Sequence, residues 1–294
     1  MLALDLDQLR ALTAVATEGT FDAAARKLHV TPSAVSQRIK ALETTIGRVL
    51  LTRAKPVRPT AAGESLLRAA RQIEAATADA ARELGRGHAD VPVVIALAVN
   101  ADSLATWLVP ALADVSVDMV FDVRRADETR TAELLRDGTV MAAVTASARA
   151  VSGCVVEPLG RMRYRPRASA GFVADWFSQG ATVRALSRAP LVAFDREDQL
   201  QDRYLRARSR RQLDPPRHYV PGSGAFVQAI RFGLGWGMVP DLQAAAGAGE
   251  PALVEIDARG SVDVELFWQQ ARVASAPLQR IAAAVRARAA VALH

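Results

Sequence analysis

The chain of 294 residues has a single cysteine, Cys154, which excludes an internal disulfide framework and any four-cysteine zinc site. Its four histidines, His29, His88, His218 and His294, show no metal-ligand spacing and read as turn, linker, strand and tail residues. No apolar run reaches the roughly 18 residues of a helical membrane span, and Met1-Leu2-Ala3-Leu4-Asp5 lacks the basic start of a signal peptide. Gly222-Ser223-Gly224 does not form the G-x-S-x-G turn of a nucleophilic serine. Gly233-Leu234-Gly235-Trp236-Gly237 follows a helical pattern instead of opening one after a strand, so it is not a dinucleotide loop. With no nucleophile, base or metal cluster, the sequence points away from catalysis and needs no cofactor. The expected setting is a reducing cytoplasm, with no membrane partner.

What is present is a globular composition, half hydrophobic and 23% charged, long enough for two or three domains. Lys and Arg number 37 against 31 Asp and Glu, a formal net charge of +6 that favours an acidic partner, nucleic acid first. The excess is local. Between Thr20 and Thr60 stand eight basic side chains (Arg26, Lys27, Arg38, Lys40, Arg48, Arg53, Lys55, Arg58) and two acidic ones, Asp22 and Glu43. That stretch carries the whole chain's surplus.

Leu6, Leu9, Leu12 and Ala16 recur at helical spacing up to Gly19, and Thr20 precedes a short alanine-rich helix, 21–28. After His29-Val30, Thr31 is placed to cap a third helix with Pro32 at its first position, ending at Gly47. At about 100° per residue, Val35, Ile39, Leu42 and Ile46 share one stripe of that helix. Ser33, Gln37, Lys40 and Thr44 lie opposite, with Ser36 at the edge. Short hydroxyls and an amide suit base edges in a major groove, and a lysine suits a phosphate. Residues 49–53 and 57–60 read as two strands around the tip Ala54-Lys55-Pro56, a basic wing for the sugar-phosphate backbone.

Phe21-Asp22-Ala23-Ala24-Ala25, the run from Thr31 to Glu43, Leu50-Leu51-Thr52-Arg53 and Thr60-Ala61-Ala62-Gly63 together resemble the winged helix-turn-helix of LysR-type transcriptional regulators. The resemblance implies promoter binding through Thr31, Pro32, Ser33, Ser36, Gln37, Arg38 and Lys40, with Arg53, Lys55 and Arg58 on the wing. RNA polymerase is a candidate further partner.

From Thr60 to Gly85 there is no proline, and Leu66, Ala70, Ile73, Thr77, Ala80 and Leu84 repeat every four and three residues. Such a seam pairs with a copy of itself or packs on its own domain. About 25 residues would span roughly 37 Å. In LysR-type regulators a linker helix joins two subunits here, so the resemblance implies a dimer or tetramer on DNA of dyad symmetry. Gly85-Arg86-Gly87-His88-Ala89-Asp90 is a polar break and marks the domain boundary. The expected units are a DNA-binding domain over 1–59, a dimerisation helix over 60–85 and an effector domain over 91–294.

The run Val93–Val99 is continuously apolar, as in a buried parallel strand. Strands over 119–123, 140–144, 191–194, 218–220 and 264–268 alternate with helices over 129–136, 199–206, 225–232 and 277–293. That order indicates α/β layers with ligands at the strands' carboxyl ends. Asp102, Asp127, Glu128 and Asp195 stand at those ends and suit an ammonium or guanidinium. Asp102-Ser103 and Pro221-Gly222-Ser223-Gly224 open helices whose free N–H groups suit a carboxylate. Asn100, Thr129 and Thr145 stand in the same loops and complete the candidate effector set with Ser103, Ser223 and Gly224.

Asn100–Leu108, Asp127-Glu128-Thr129-Arg130-Thr131, Val192-Ala193-Phe194-Asp195, Ala225-Phe226-Val227-Gln228 and Gly237-Met238-Val239-Pro240 are similar to the lysine- and arginine-responsive (ArgP/LysG) branch of the same family. This resemblance implies a two-lobed domain like periplasmic binding proteins, with 91–163 plus 266–294 as one lobe and 164–265 as the other. The chain would cross between them near 161–165 and 262–267. It also implies lysine or arginine as effector and transport genes, such as an amino-acid exporter, as targets. Arg161–Arg167 and Arg206–Arg211 are more basic than that branch leads one to expect, and read as surface. An alternative within the same resemblance is a nucleoid or replication-origin binding protein. An enzyme with an appended DNA-binding head is a third reading, disfavoured by the missing catalytic groups.

Overall fold

The computed structural model of the chain describes residues 4–52, 54–84, 93–273 and 275–294. Three helices open it, each started by a cap from its own sequence. Asp5 accepts the N–H of Asp7 and Gln8 before α1 (Leu6–Glu18), and Thr20 that of Ala23 before α2 (Phe21–Lys27). Thr31 accepts the N–H of Ala34 before α3 (Pro32–Ile46). Gly19 and Gly47 end α1 and α3 in the left-handed conformation, where glycine carries no steric penalty. Leu9, Leu12, Val15, Val35, Ile39 and Leu42 close on one another and on Leu50, Leu51 and Val57 from the wing.

The wing is smaller than the two strands expected. Leu51 bridges Pro59, and the Thr52 hydroxyl and N–H bond the backbone of Arg58. Pro56 and Pro59 bring no N–H, so a longer ladder has too few donors. Glu43, one of the two acids of the basic segment, accepts the Leu50 N–H at 2.7 Å and ties the wing to α3. Its charge is structural.

Helix α4 (Ala61–Glu83) divides the expected seam in two. Leu66, Ala70 and Ile73 pack into the core of their own amino-terminal domain, and Ala70 is fully buried there. Thr77, Ala80 and Leu84 are exposed, Leu84 to 74%. The first half of the seam is thus occupied within the chain, because α1 offers it an apolar face. The Gly85–Asp90 break and Arg53 lie outside the described residues.

The second domain begins with β1 (Val93–Val99). A helical passage of α5 (Ala101–Ser103), a wider turn (Leu104–Leu108) and α6 (Val109–Ala113) leads to β2 (Met119–Arg125), and α7 (Glu128–Arg136) leads to β3 (Ala142–Thr145). Then come β4 (Cys154–Ser169), α8 (Ala170–Trp176), α9 (Val183–Leu186), β5 (Leu191–Ala193), α10 (Leu200–Arg208) and β6 (Arg217–Tyr219). The chain closes with α11 (Ser223–Arg231), β7 (Gly237–Pro240), β8 (Leu253–Glu255), β9 (Val262–Ala271) and α12 (Ala276–Ala292). One mixed sheet runs β2-β1-β3-β9-β4-β7, with β8 on β4, while β5 and β6 pair in parallel beside it.

Two long strands join the lobes. β9 pairs with β3 in the first lobe, and β4 pairs with β7 and β8 in the second. β4 and β9 pair with each other from Cys154–Ala271 to Tyr164–Val262, with a bulge between Pro158 and Gly160. β4 corrects in part the reading of Arg161–Arg167 as surface: Arg161 is exposed, whereas the arginines after it are progressively covered. Met162, Tyr164, Pro166 and Ala168 alternate inward. Arg163 pairs with Asp263 at 2.8 Å through two nitrogens, and Arg165 with Asp241 at 3.2 Å. Arg167 is itself buried and held by Asp241, Glu255 and the Val239 carbonyl. A buried guanidinium needs such partners. Among the described residues, no helix is long and apolar enough to cross a membrane.

Gly63 sets how closely α4 approaches the wing, since an added Cβ would lie 2.0 Å from the Leu50 carbonyl oxygen. Gly63→Ala should destabilise the amino-terminal domain by about 2 kcal/mol or more. An unchanged urea-denaturation midpoint would show that the gap has room.

Candidate effector cleft and nucleic-acid interface

On α3 the stripe Val35, Ile39 and Leu42 is buried, which leaves Ser33, Ser36, Gln37 and Lys40 exposed along the outer face. Thr31 and Pro32 stand exposed at its start, with the Thr31 hydroxyl committed to the cap. Lys55 and Arg58 are exposed on the wing, and Arg53 falls outside the described residues. Arg38 departs from the expected row. Its guanidinium lies 2.9 Å from Asp7 at the start of α1, half-buried, so its charge is answered inside the domain.

Between the lobes opens a cleft of about 880 Å³. It collects Asn100, Asp102, Asp127, Glu128, Thr129 and Asp195 from the candidate set, and adds Arg125, Arg130, Arg196, Glu197 and Asp198. The four remaining candidates do not line it. Ser103, the last residue of α5, is buried, its hydroxyl without a partner. Thr145 lines a neighbouring cavity of about 240 Å³ together with Glu128 and Thr129. Ser223 is buried at the start of α11, where it touches Asp102, and Gly224 is exposed beside it.

Several of these side chains build the loops as well. Asn100, not Asp102, caps α5 by accepting the Ser103 N–H at 2.8 Å. Asp127 caps α7 by accepting the Arg130 N–H at 2.7 Å. Asp195 accepts the N–H of Glu197 and Asp198, and Asp198 accepts those of Phe194 and Leu200. Asp198 escaped the sequence reading although its spacing before a helix is a capping signal. Arg125 reaches across the cleft to 5.7 Å from the Phe194 ring, whereas Arg196 turns to Tyr219 at 4.7 Å.

Asp102 links the lobes. Its carboxylate receives the Tyr164 hydroxyl from β4 at 2.8 Å and the Ser223 hydroxyl from α11 at 2.6 Å. Gln243 lies 3.0 Å from the same serine oxygen, but one hydroxyl proton serves one acceptor, and the carboxylate is the stronger. Burial pushes the Asp102 carboxyl above its ordinary range, the two hydroxyl donors pull it back, and Asp198 adds an upward push. Burial and the Asp102 charge hold the Tyr164 phenol well above its usual value, so it stays a donor.

Residues 6–64 match the family described as bacterial regulatory helix-turn-helix protein, lysR family, and residues 93–290 match the LysR substrate binding domain. The chain belongs to the LysR family of transcriptional regulators. The HTH-type transcriptional regulator LysG of Mycobacterium tuberculosis is 46% identical over 286 residues, covering 97% of this chain and 94% of that one. The lysine export transcriptional regulatory protein LysG of Corynebacterium efficiens is 39% identical over 284 residues, 94% and 95% of the two chains. Full-length LysG from Corynebacterium glutamicum, solved with bound effector Arg, superposes with a TM-score of 0.82 at 35% identity, covering 99% of this chain and all of that one. As a LysR-family regulator, the chain joins a DNA-binding head to an effector-binding α/β domain, and its activity is control of transcription, not catalysis.

Without ligand, this regulator binds the Asp102 proton more tightly folded than unfolded. Stability from this group is then greatest in acid and falls as pH rises through the ordinary carboxylate value toward the raised one. Asp102→Asn removes that dependence. Its Tm minus that of the parent should climb in scanning calorimetry as pH rises above the ordinary carboxylate value of about 4; a flat or falling difference would refute the raised carboxyl.

Proposed function

We propose that this regulator senses a basic amino acid, lysine or arginine, in the cleft between its lobes and controls a transport gene such as an amino-acid exporter. The observation that carries this reading is the charge of the cleft: six carboxylates (Asp102, Asp127, Glu128, Asp195, Glu197, Asp198) face three arginines. One of the three, Arg130, is paired with Glu133. A ligand with an α-ammonium and a cationic side chain answers that excess, and its α-carboxylate answers the remaining positive charge. The arginine bound to LysG of C. glutamicum and the lysine-export role in the name of the C. efficiens relative support the choice.

The ligand closes the lobes about β4 and β9 and acts on DNA by preferring one arrangement of a dimer over another; equal affinity for both would change nothing. The exposed half of the α4 seam, Thr77, Ala80 and Leu84, pairs the subunits, so that two heads read a site of dyad symmetry where RNA polymerase works. Ser33, Ser36 and Gln37 meet base edges, while Lys40, Lys55 and Arg58 meet phosphates.

Calorimetry with lysine, arginine and norleucine tests the ligand. Norleucine keeps the chain but loses the side-chain charge and should bind at least about tenfold more weakly, a difference of about 1.4 kcal/mol. Equal affinity for norleucine ends this reading. For DNA, Gln37→Ala should lower discrimination between operator and random duplex by about 1–3 kcal/mol. Lys55→Ala should weaken both alike and reduce the salt slope by about one. Footprinting should find dyad sites at promoters; scattered unrelated sites would favour a chromosome-organising role instead.

A further inference from the structure

Helix α7 touches both halves of the molecule. Its start, Asp127, Glu128 and Thr129, lines the effector cleft. Nine residues later, about 13 Å along the axis at 1.5 Å each, its last turn meets α4. There Arg68 donates to the Arg136 carbonyl at 3.0 Å, and Arg71 donates to the Asp137 carbonyl and to the Thr139 hydroxyl at 3.1 Å. The Asp137 carboxylate lies 3.5 Å from the same Arg71 nitrogen. The end of a helix presents unsatisfied carbonyls and partial negative charge, so two guanidinium groups are well matched to it. The backbone also comes close, since a Cβ on Gly138 would lie 3.1 Å from the Arg68 Cα.

α7 packs outside the main core. Leu134 and Leu135 rest on a small cluster with Ala98, Val140, Ala143 and Cys154, separate from the main core that holds Trp107, Trp236 and Trp268. A small satellite cluster resists displacement less than the shared core does. Arg130, Leu135 and Asp137 also line a cavity of about 920 Å³ between the DNA-binding half and the first lobe. A shift of α7 therefore has space to occur, and both of its ends are held by something that matters.

We propose that α7 is the lever through which effector occupancy reaches the DNA-binding half, with Arg68 and Arg71 as its grip on α4. The lever rests on the reading of the cleft as a lysine or arginine site. A cation drawn to Asp127 and Glu128 pulls on the first turn; the helix moves as a rod, and its carbonyl end carries α4 with it. Arg68 and Arg71 touch neither the ligand nor DNA in this arrangement. Their loss should uncouple the two sites and leave each site working.

The test uses the full-length protein, lysine, and duplex DNA from the gene's own upstream region. In the parent, lysine changes promoter affinity or footprint. In Arg71→Lys, which keeps the charge but loses the fork, that change should shrink to within twofold of none. The Kd for lysine without DNA and the Kd for DNA without lysine should each stay within threefold of the parent. Thr139→Val, which leaves α4 unaltered, should weaken the coupling in the same direction and guards against a folding defect in the arginine variant. Hydrogen exchange gives a second readout: lysine should alter protection at residues 64–72 in the parent and not in Arg71→Lys. Parent-like coupling in both variants overturns the lever, as does loss of lysine binding itself in Arg71→Lys. A parent that binds neither lysine nor arginine overturns the reading of the cleft, and the lever falls with it; one that binds arginine alone is tested with arginine in lysine's place.

Discussion

A carboxylate packed at the seam between two lobes needs hydrogen-bond donors from both sides, and Asp102 has them: Tyr164 on the strand that joins the lobes, and Ser223 at the start of a helix in the second lobe. Water is partly excluded there, so the charge raises its own proton affinity unless something positive arrives. That unmet demand suits the cleft to the cationic effector proposed for it. Asp127, Glu128, Asp195 and Asp198 surround the same space, each already engaged with backbone N–H groups or held at a loop end. The loops are built by the same carboxylates that give the cleft its sign.

Electrostatics also separates the two working surfaces. The segment from Thr20 to Thr60, which holds α2, α3 and the wing, carries the chain's positive excess, and the cleft carries a negative one. DNA at the head and the cation proposed for the cleft therefore have no common site to contest. The arginines that answer one another's neighbours inside the fold are a third set. Arg163, Arg165 and Arg167 along β4 hold Asp263, Asp241 and Glu255, and so fix the strand pair about which the lobes are joined. Asp263 is kept below its ordinary value by the Arg163 fork, as a stable pair requires.

Much of the head was legible from local rules. Thr20 and Thr31 cap the helices they precede, the core stripe Val35–Ile39–Leu42 faces inward, and Ser33, Gln37 and Lys40 face out. The α/β alternation and most strand positions were legible for the same reason, since periodicity is a local property. β4 was missed even though its arginines alternate with Met162, Tyr164 and Ala168, because four like charges in a row read as solvated surface when their partners are 74 to 104 residues away. The heptad seam of α4 was read as one surface, but its first half packs on α1.

By itself, then, the sequence determined what each segment would become: a capped reading helix, a basic wing, a long linker, strands ending in acidic loops. Those outcomes depend on contacts within a turn or two, and the residues that make them are neighbours in the chain. Only the tertiary structure decided which loops share a cleft and which charges are already answered. Asp102 meets Ser223 across 121 residues, Arg38 meets Asp7 across 31, and Arg71 meets the end of α7 across 66. Burial and through-space distance set the value of a charge, and neither is a property of its position in a list of residues.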